Sequence, residues 1–475
     1  MERPNVVWVT LESTRADHTT PGGYERDTTP NLQRIAEAPR GRSFDSCIAH
    51  GVWTLASSAS ILTGTYPSHH DAGMESDAIP AGIETIPERL SAAGYHTACL
   101  SPNSHLSSAT GLDRGFAEFD WFSADTLLET AGPRAILKYL LHVRKHGGGL
   151  TTDTAKHGTG YVMTDVAKRR LRTWESTGEP FFLYAHYGGP HHPYHPPRRF
   201  VERYAADFGM SADEARELGM DHHATFHERI AQGRFYTDDE WAALRALYDG
   251  EIAHADELVG GLFDYVQELD LGETVFVVTA DHGELFGEHG LLAHMIVVDD
   301  AVTHVPLVVH GLDGLKGDDA GGPGAGELVQ HADVIRTILE AAGTRTEGLQ
   351  GIDLREERRE RAIVQRGAKR CLKNLDRFLE IDPDFDDARF HRAALSAIRT
   401  ERFRYQRSEE RSELFRLPDE EHDRSTSYPE VVERLDGELE RFLETDGRPA
   451  ADGGREGEFT DAMERQLADL GYLVD

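Results

Sequence analysis

The chain has 475 residues, 83 of them acidic and 50 basic, for a formal net charge of −33. A chain of this length buries a large core without disulfide support, and its 20 Phe, 15 Tyr and 5 Trp exclude wholesale disorder. The broad acidity also excludes a general nucleic-acid binder, which needs clustered Lys and Arg.

Short apolar runs recur along the chain. Asn5 to Leu11, Thr97 to Ser101, Pro180 to His186, Thr274 to Thr279 and Val305 to Val309 read as buried strands. Amphipathic stretches lie between them, at Asn31 to Ala36, Ile86 to Ala93, Asp165 to Trp174 and Trp241 to Leu269. This alternation predicts an α/β fold with a central, mostly parallel sheet flanked by helices. Ser123 to Val162 and Tyr204 to Thr237 look inserted and are expected to wall the pocket, and Gly311 to Gly326 reads as a Gly/Asp loop. From Arg366 the texture changes to a charged helix (Arg370 to Ile381), a strand at Leu395 to Tyr405 and a helix from Pro429 to Thr445. We therefore expect a catalytic domain over 1–365, a smaller α+β subdomain over 366–445, and a linker with a terminal helix over 446–475.

Only seven Lys accompany 43 Arg. Many carboxylates with few Lys is the balance of a halophilic protein, kept soluble where salt screens its self-repulsion. Three scattered Cys without CxxC spacing predict neither structural zinc nor disulfides, and point to a reducing interior. No window approaches the roughly 18 apolar residues of a spanning helix. The expectation is a soluble cytoplasmic protein with no membrane or nucleic-acid partner.

Ligands of parallel α/β sheets gather at the carboxyl ends of strands, and four features fall there. Glu12 follows the first strand, with Arg15 close behind: a carboxylate suited to a hard cation, and a guanidinium suited to an anion. Both equally suit a helix cap and a surface ion pair. Thr54 opens a run of small residues that stops at Gly64 and Pro67, so its hydroxyl lies at a helix N-terminus, where it caps or attacks a bound tetrahedral anion. Asp281 and His282 end another strand, and Gly283 permits the sharp turn that aims both at one ion. Glu284, Glu288 and His289 are expected to support them. His191, stiffened by Pro190 and Pro193, can donate to an anionic oxygen, while His192 and His195 read as solvent-exposed loop.

Together these features resemble the sulfatase family of the alkaline phosphatase superfamily. The opening strand with its carboxylate, Thr63-Gly64-Thr65-Tyr66-Pro67 against LTGxYP, and Gly111 to Phe119 against a GFDRGF-type segment carry the likeness. So do Tyr248-Asp249-Gly250-Glu251, Asp281-His282-Gly283-Glu284, Gly287-Glu288-His289-Gly290, Val305-Pro306-Leu307, Ala397 to Thr400 and Leu470-Gly471-Tyr472-Leu473. One departure stands out. Sulfatases have a Cys or Ser in C/S-x-P-x-R that becomes formylglycine; here the position is Thr54, with Ala56 for Pro and Ser58 for Arg. Threonine cannot become that aldehyde, so no formylglycine is expected. An unmodified Thr is similar to the nucleotide pyrophosphatase/phosphodiesterases and the lipoteichoic acid synthases of the superfamily.

The resemblance implies Glu12, Thr54, Asp281 and His282 as ligands of one divalent ion, Mn²⁺ or Zn²⁺ rather than Ca²⁺ given the mixed donors. It implies His191 and His294 as catalytic and substrate-binding residues, His294 near a family Lys, with Arg15 and Asn103 as further holders of substrate oxygens and His304 structural. The expected function is hydrolysis of a small-molecule or glycan sulfate or phosphate ester through a Thr nucleophile. A phosphodiesterase, a phospho-group transferase and a non-catalytic anion-binding relative are the alternatives.

Overall fold

The computed structural model describes residues 3–149, 151, 153–315, 327–451 and 453–472. Most of the expected Gly311 to Gly326 loop lies outside the described residues, as does Leu473.

A seven-stranded sheet runs through the molecule in the spatial order Gly41–Ser43, Leu307–His310, Thr274–Thr279, Asn5–Leu11, Phe181–Tyr187, His96–Ser101, Glu118–Trp121. The last five are mutually parallel; Leu307–His310 is antiparallel to its neighbours on both sides. Asn5–Leu11 is buried along its whole length because both faces are covered. Strand alternation then divides its side chains between two cores. Val6 and Trp8 join Phe182, Tyr184, Val275 and Val277 on one face. Val7, Val9 and Leu11 join Leu183, Ala185, Phe276 and Val278 on the other. Each such side chain stabilises the fold by about 1.5–3 kcal/mol relative to exposure, so the sheet is a rigid platform for whatever its tips carry.

Helices Pro30–Glu37 and Gly160–Glu175 cover the second face; Thr54–Thr63, Ile86–Ala92 and His331–Ala341 cover the first. The long helix Asp238–Glu268 serves both, through Ala243 to Ile252 on one and Ala255 to Val266 on the other.

The smaller unit has an antiparallel sheet of Ala362–Arg366, Leu395–Arg399, Phe403–Arg407 and Ser412–Arg416. It begins at Ala362, ahead of the expected Arg366, and the single strand expected over Leu395 to Tyr405 is a hairpin. Helix Pro429–Glu444 lays Leu435 and Leu439 on Ile398, Tyr405 and Leu414. Helix Ala368–Ile381 turns the other way, burying Cys371, Leu375 and Phe378 in the main core beside helix Ala212–Gln232. The helix Asp461–Asp469 is capped by Thr460, and Gly471, at φ +79°, makes the left-handed turn that sends Tyr472 inward. All three cysteines are free and buried, and no described helix is long and apolar enough to cross a membrane.

Candidate active site

Four adjacent parallel strands deliver the site. In sheet order, Thr274–Thr279 leads to Asp281 and His282, Asn5–Leu11 to Glu12, Phe181–Tyr187 carries His186 and leads to His191, and His96–Ser101 leads to Asn103. Thr54 is the first residue of helix Thr54–Thr63, which ends at Gly64 in the left-handed conformation (φ +68°). Its hydroxyl sits where the unpaired N–H groups of the first turn face a ligand.

Thr54 Oγ1 lies 3.0 Å from Glu12 Oε1, 3.2 Å from His282 Nε2 and 3.0 Å from the Tyr472 hydroxyl. Asn103 Nδ2 donates to the same Glu12 oxygen at 2.6 Å. Asp281 Oδ1 accepts from the Ser13 and His282 amides, but its Oδ2 is buried without a partner. His186 Nε2 stands 3.5 Å from Glu12 Oε2 and 3.9 Å from Asp281 Oδ2, and neither of its ring nitrogens is hydrogen-bonded. Glu12, His186 and Asp281 therefore hold their donor atoms within 4.8 Å of one another. Among the described residues no Lys or Arg hydrogen-bonds Glu12 or Asp281. Two buried carboxylates with an orphaned oxygen and an unpartnered imidazole are a fitting donor set for a divalent cation.

Tautomers follow from fixed acceptors. His282 Nδ1 faces the Gly283 carbonyl at 2.9 Å and His191 Nδ1 the His192 carbonyl at 2.7 Å, so each carries hydrogen there and leaves Nε2 bare. His294 Nδ1 meets Glu284 Oε2 at 3.0 Å, and Tyr194 donates to the other Glu284 oxygen at 2.7 Å. The Nε2 atoms of His191 and His294 then converge on the Tyr472 hydroxyl, 3.2 Å from each. Burial opposes charge on Glu12, yet His191, His186 and His282 pull its carboxyl down to about 2. Burial lowers His191, and lowers His294 further, aided by His282, His191 and Arg370. Both imidazoles rest neutral near pH 7.

The structure thus gathers Glu12, Thr54, Asp281, His282, His191, His294 and Asn103 at one point. Arg15 is a correction: its guanidinium is held by both Asp17 oxygens, by Glu288 at 2.7 Å and by the Glu284 carbonyl, and is not offered to Thr54. Asn103 spends its amide on Glu12. His289 pairs with Asp299, and His304 with the Asp45 carbonyl. His192 is not exposed loop; it is buried, its ring centroid 4.2 Å from that of His191 at a tilt of 34°. The pocket walls also differ: beside Tyr472 the lining comes from helix Ala368–Ile381, from His192, Ala293 to Met295 and Leu470 to Gly471, with Phe226 from the second inserted segment and, among the described residues, none from the first.

Sequence reading also passed over His186 and Tyr472. Pairing the strands places His186 beside Thr10, two positions before Glu12, a neighbour relation that strand order alone would have supplied. Tyr472 stood in a family-like motif with no chemistry to mark it.

A parallel sheet with carboxylates, imidazoles and a hydroxyl at its adjoining tips defines an ester hydrolase of alkaline-phosphatase-like architecture. The chain belongs to the sulfatase family, whose profile, described as Sulfatase, matches residues 4–344. It is 26% identical over 399 residues to an arylsulfatase of Clostridium perfringens, covering 75% of this chain and 79% of that one. It is 25% identical over 393 residues to a multifunctional alkaline phosphatase superfamily protein of Trinickia caryophylli (73% and 75% covered). The phosphonate monoester hydrolase of Agrobacterium radiobacter shares its fold, with a TM-score of 0.70 at 20% identity over 94% of this chain and 96% of that one. Its membership of that family makes the chain a sulfatase-family ester hydrolase.

Proposed function

We propose that the enzyme cleaves a sulfate or phosphate ester through a covalent ester on Thr54, with Glu12, Thr54, Asp281 and His282 holding one divalent ion and His186 completing the set. The observation that carries this reading is Thr54 Oγ1 lying within 3.2 Å of both Glu12 and His282. The unpartnered Asp281 Oδ2 and His186 support the ion, and the mixed oxygen and nitrogen donors favour Mn²⁺ or Zn²⁺. When bound, such an ion supplies charge stabilisation and lowers the pKa of a hydroxyl beside it.

Thr54 Oγ1 forms a bond to sulfur or phosphorus while the bond to the leaving alcohol oxygen breaks. His191, bare at Nε2 and one hydroxyl away from Thr54, takes up the proton Thr54 sheds and returns it to the leaving oxygen, with His294 beside the same Tyr472 hydroxyl. The first-turn N–H groups of helix Thr54–Thr63 face the transferred oxygens. Water then cleaves the Thr54 ester, releasing the inorganic anion and restoring the hydroxyl. A threonine ester has no aldehyde hydrate from which sulfate could be eliminated, so this last step is hydrolytic.

Mass spectrometry of protein quenched during turnover of an aryl sulfate and an aryl phosphate tests the reading. Expected is an added group on a Thr54 peptide with one of the two probes. Turnover by Thr54→Ala at an undiminished rate would remove the covalent route.

A further inference from the structure

Tyr472, whose hydroxyl stands 3.0 Å from Thr54 Oγ1, borders the space outside the reacting end. There lies a cavity of about 20 Å³ whose walls include His192 and His294 on one side and Arg370, Lys373 and Arg377 on the other. The three cations sit at i, i+3 and i+7 of helix Ala368–Ile381, hence on one face. No carboxylate lines the cavity.

In a chain with 83 acids this is unusual company. Arg15, Arg26, Arg359 and Arg399 all lie against carboxylates. Arg370, Lys373 and Arg377 form no ion pair among the described residues; Arg377 reaches only His227 Nε2, at 3.4 Å. Arg370 Cζ lies 4.3 Å from the Trp53 ring centroid and 4.8 Å from that of Tyr472, and its Nη1 is shut from solvent with no hydrogen-bond partner. A buried guanidinium nitrogen left unmatched is costly unless something else satisfies it. Trp53 directly precedes the nucleophile, and the Tyr472 ring spans from Arg370 to Thr54 Oγ1. The cavity is therefore one aromatic ring away from the reacting atoms.

We propose that this cavity is an anion subsite: the alcohol half of the substrate carries a second anionic group, a sulfate, phosphate or carboxylate, which Arg370 binds with Lys373 and Arg377 at the mouth. The inference rests on ester cleavage at Thr54. Planar guanidinium forks suit a tetrahedral or carboxylate anion, and water is largely excluded around Arg370, so charge-assisted hydrogen bonds there count for more than at the surface.

The test compares phenyl with 3-carboxyphenyl and 3-sulfophenyl esters of the group the enzyme transfers, corrected for leaving-group acidity. Expected is at least about a tenfold higher kcat/KM for the anionic pair, a ratio that falls toward one in Arg370→Gln and in the Lys373→Gln/Arg377→Gln protein, whose changes lie toward the surface. No preference, or a ratio that survives both variants, overturns the proposal. Calorimetry on Thr54→Ala with the same esters reads binding without turnover. If no ester is cleaved yet the anionic esters bind tighter in an Arg370-dependent way, the cleavage reading fails and the subsite stands. If esters are cleaved through Thr54 without anion preference, the subsite fails alone. Arg370-dependent binding of inorganic phosphate or sulfate, with no advantage to the anionic esters, would make the cavity a product or effector site and overturn the proposal.

Discussion

The two walls flanking Thr54 are opposites. On one side the strand tips contribute Glu12, Asp281 and His186, with no Lys or Arg hydrogen-bonded to either acid among the described residues. On the other, Arg370, Lys373 and Arg377 line a cavity that has no carboxylate in its wall, and none of the three forms an ion pair among the described residues. Each wall lacks what the other has in excess, yet they do not neutralise each other, because Thr54, Tyr472 and the His191/His294 pair lie between. The difference teaches a division of labour: the sheet supplies the reacting end, and elements folded over it later in the chain supply a contact for the rest of the substrate.

The largest effect expected is on the reacting end. Thr54→Ala should lower kcat by about a thousandfold or more, because an activated nucleophile and its partners act as a unit; aryl-ester turnover measures it, and a loss below tenfold would break the comparison by making Thr54 a bystander. Next, Asp281→Ala should leave the purified protein with little or no divalent ion, measured by elemental analysis, and turnover should fall with it, since Glu12, Thr54, His282 and His186 cannot replace the second carboxylate. His186→Ala is milder: a drop of roughly 10- to 100-fold in metal affinity, read by competition with a chelator. An unchanged affinity would place His186 outside the acidic wall. The smallest effect lies away from both walls, at Glu413 in the antiparallel sheet. Burial opposes its ionisation, but hydrogen bonds from His391, Gln406 and Arg411 bring it down to about 2. A depressed carboxyl stabilises the fold above its ordinary pKa of 4.5, and that contribution fades as pH falls toward 2. Glu413→Gln should therefore flatten the acid limb of the stability curve between those values, in chemical denaturation, without altering metal content.

Of the residues around the reacting end, Asp281-His282 before Gly283 was the most legible from local pattern, whereas Glu12 after Leu11 and Thr54 at a helix start read equally well as caps until the family likeness was added. Such residues are tied to their strand by neighbours in sequence. The α/β alternation was legible for the same local reason. His186 was harder, since its role arises from lying beside Thr10 in another strand. The basic wall was opaque. Arg370, Lys373 and Arg377 read as one face of a charged helix, and nothing local says whether that face meets water or a cavity. Arg15 is the reverse case: the ion-pair reading that its sequence neighbourhood offered is what the structure shows, with Asp17 and Glu288 holding the guanidinium.

Tyr472 adds a constraint of timing. Glu12 and Tyr472 are 460 residues apart in the chain, yet their oxygens end 3.4 Å apart. At about 5–20 residues per second, a ribosome needs tens of seconds to make that interval. Until Tyr472 has been made, its contacts with Thr54, His191 and His294 cannot form.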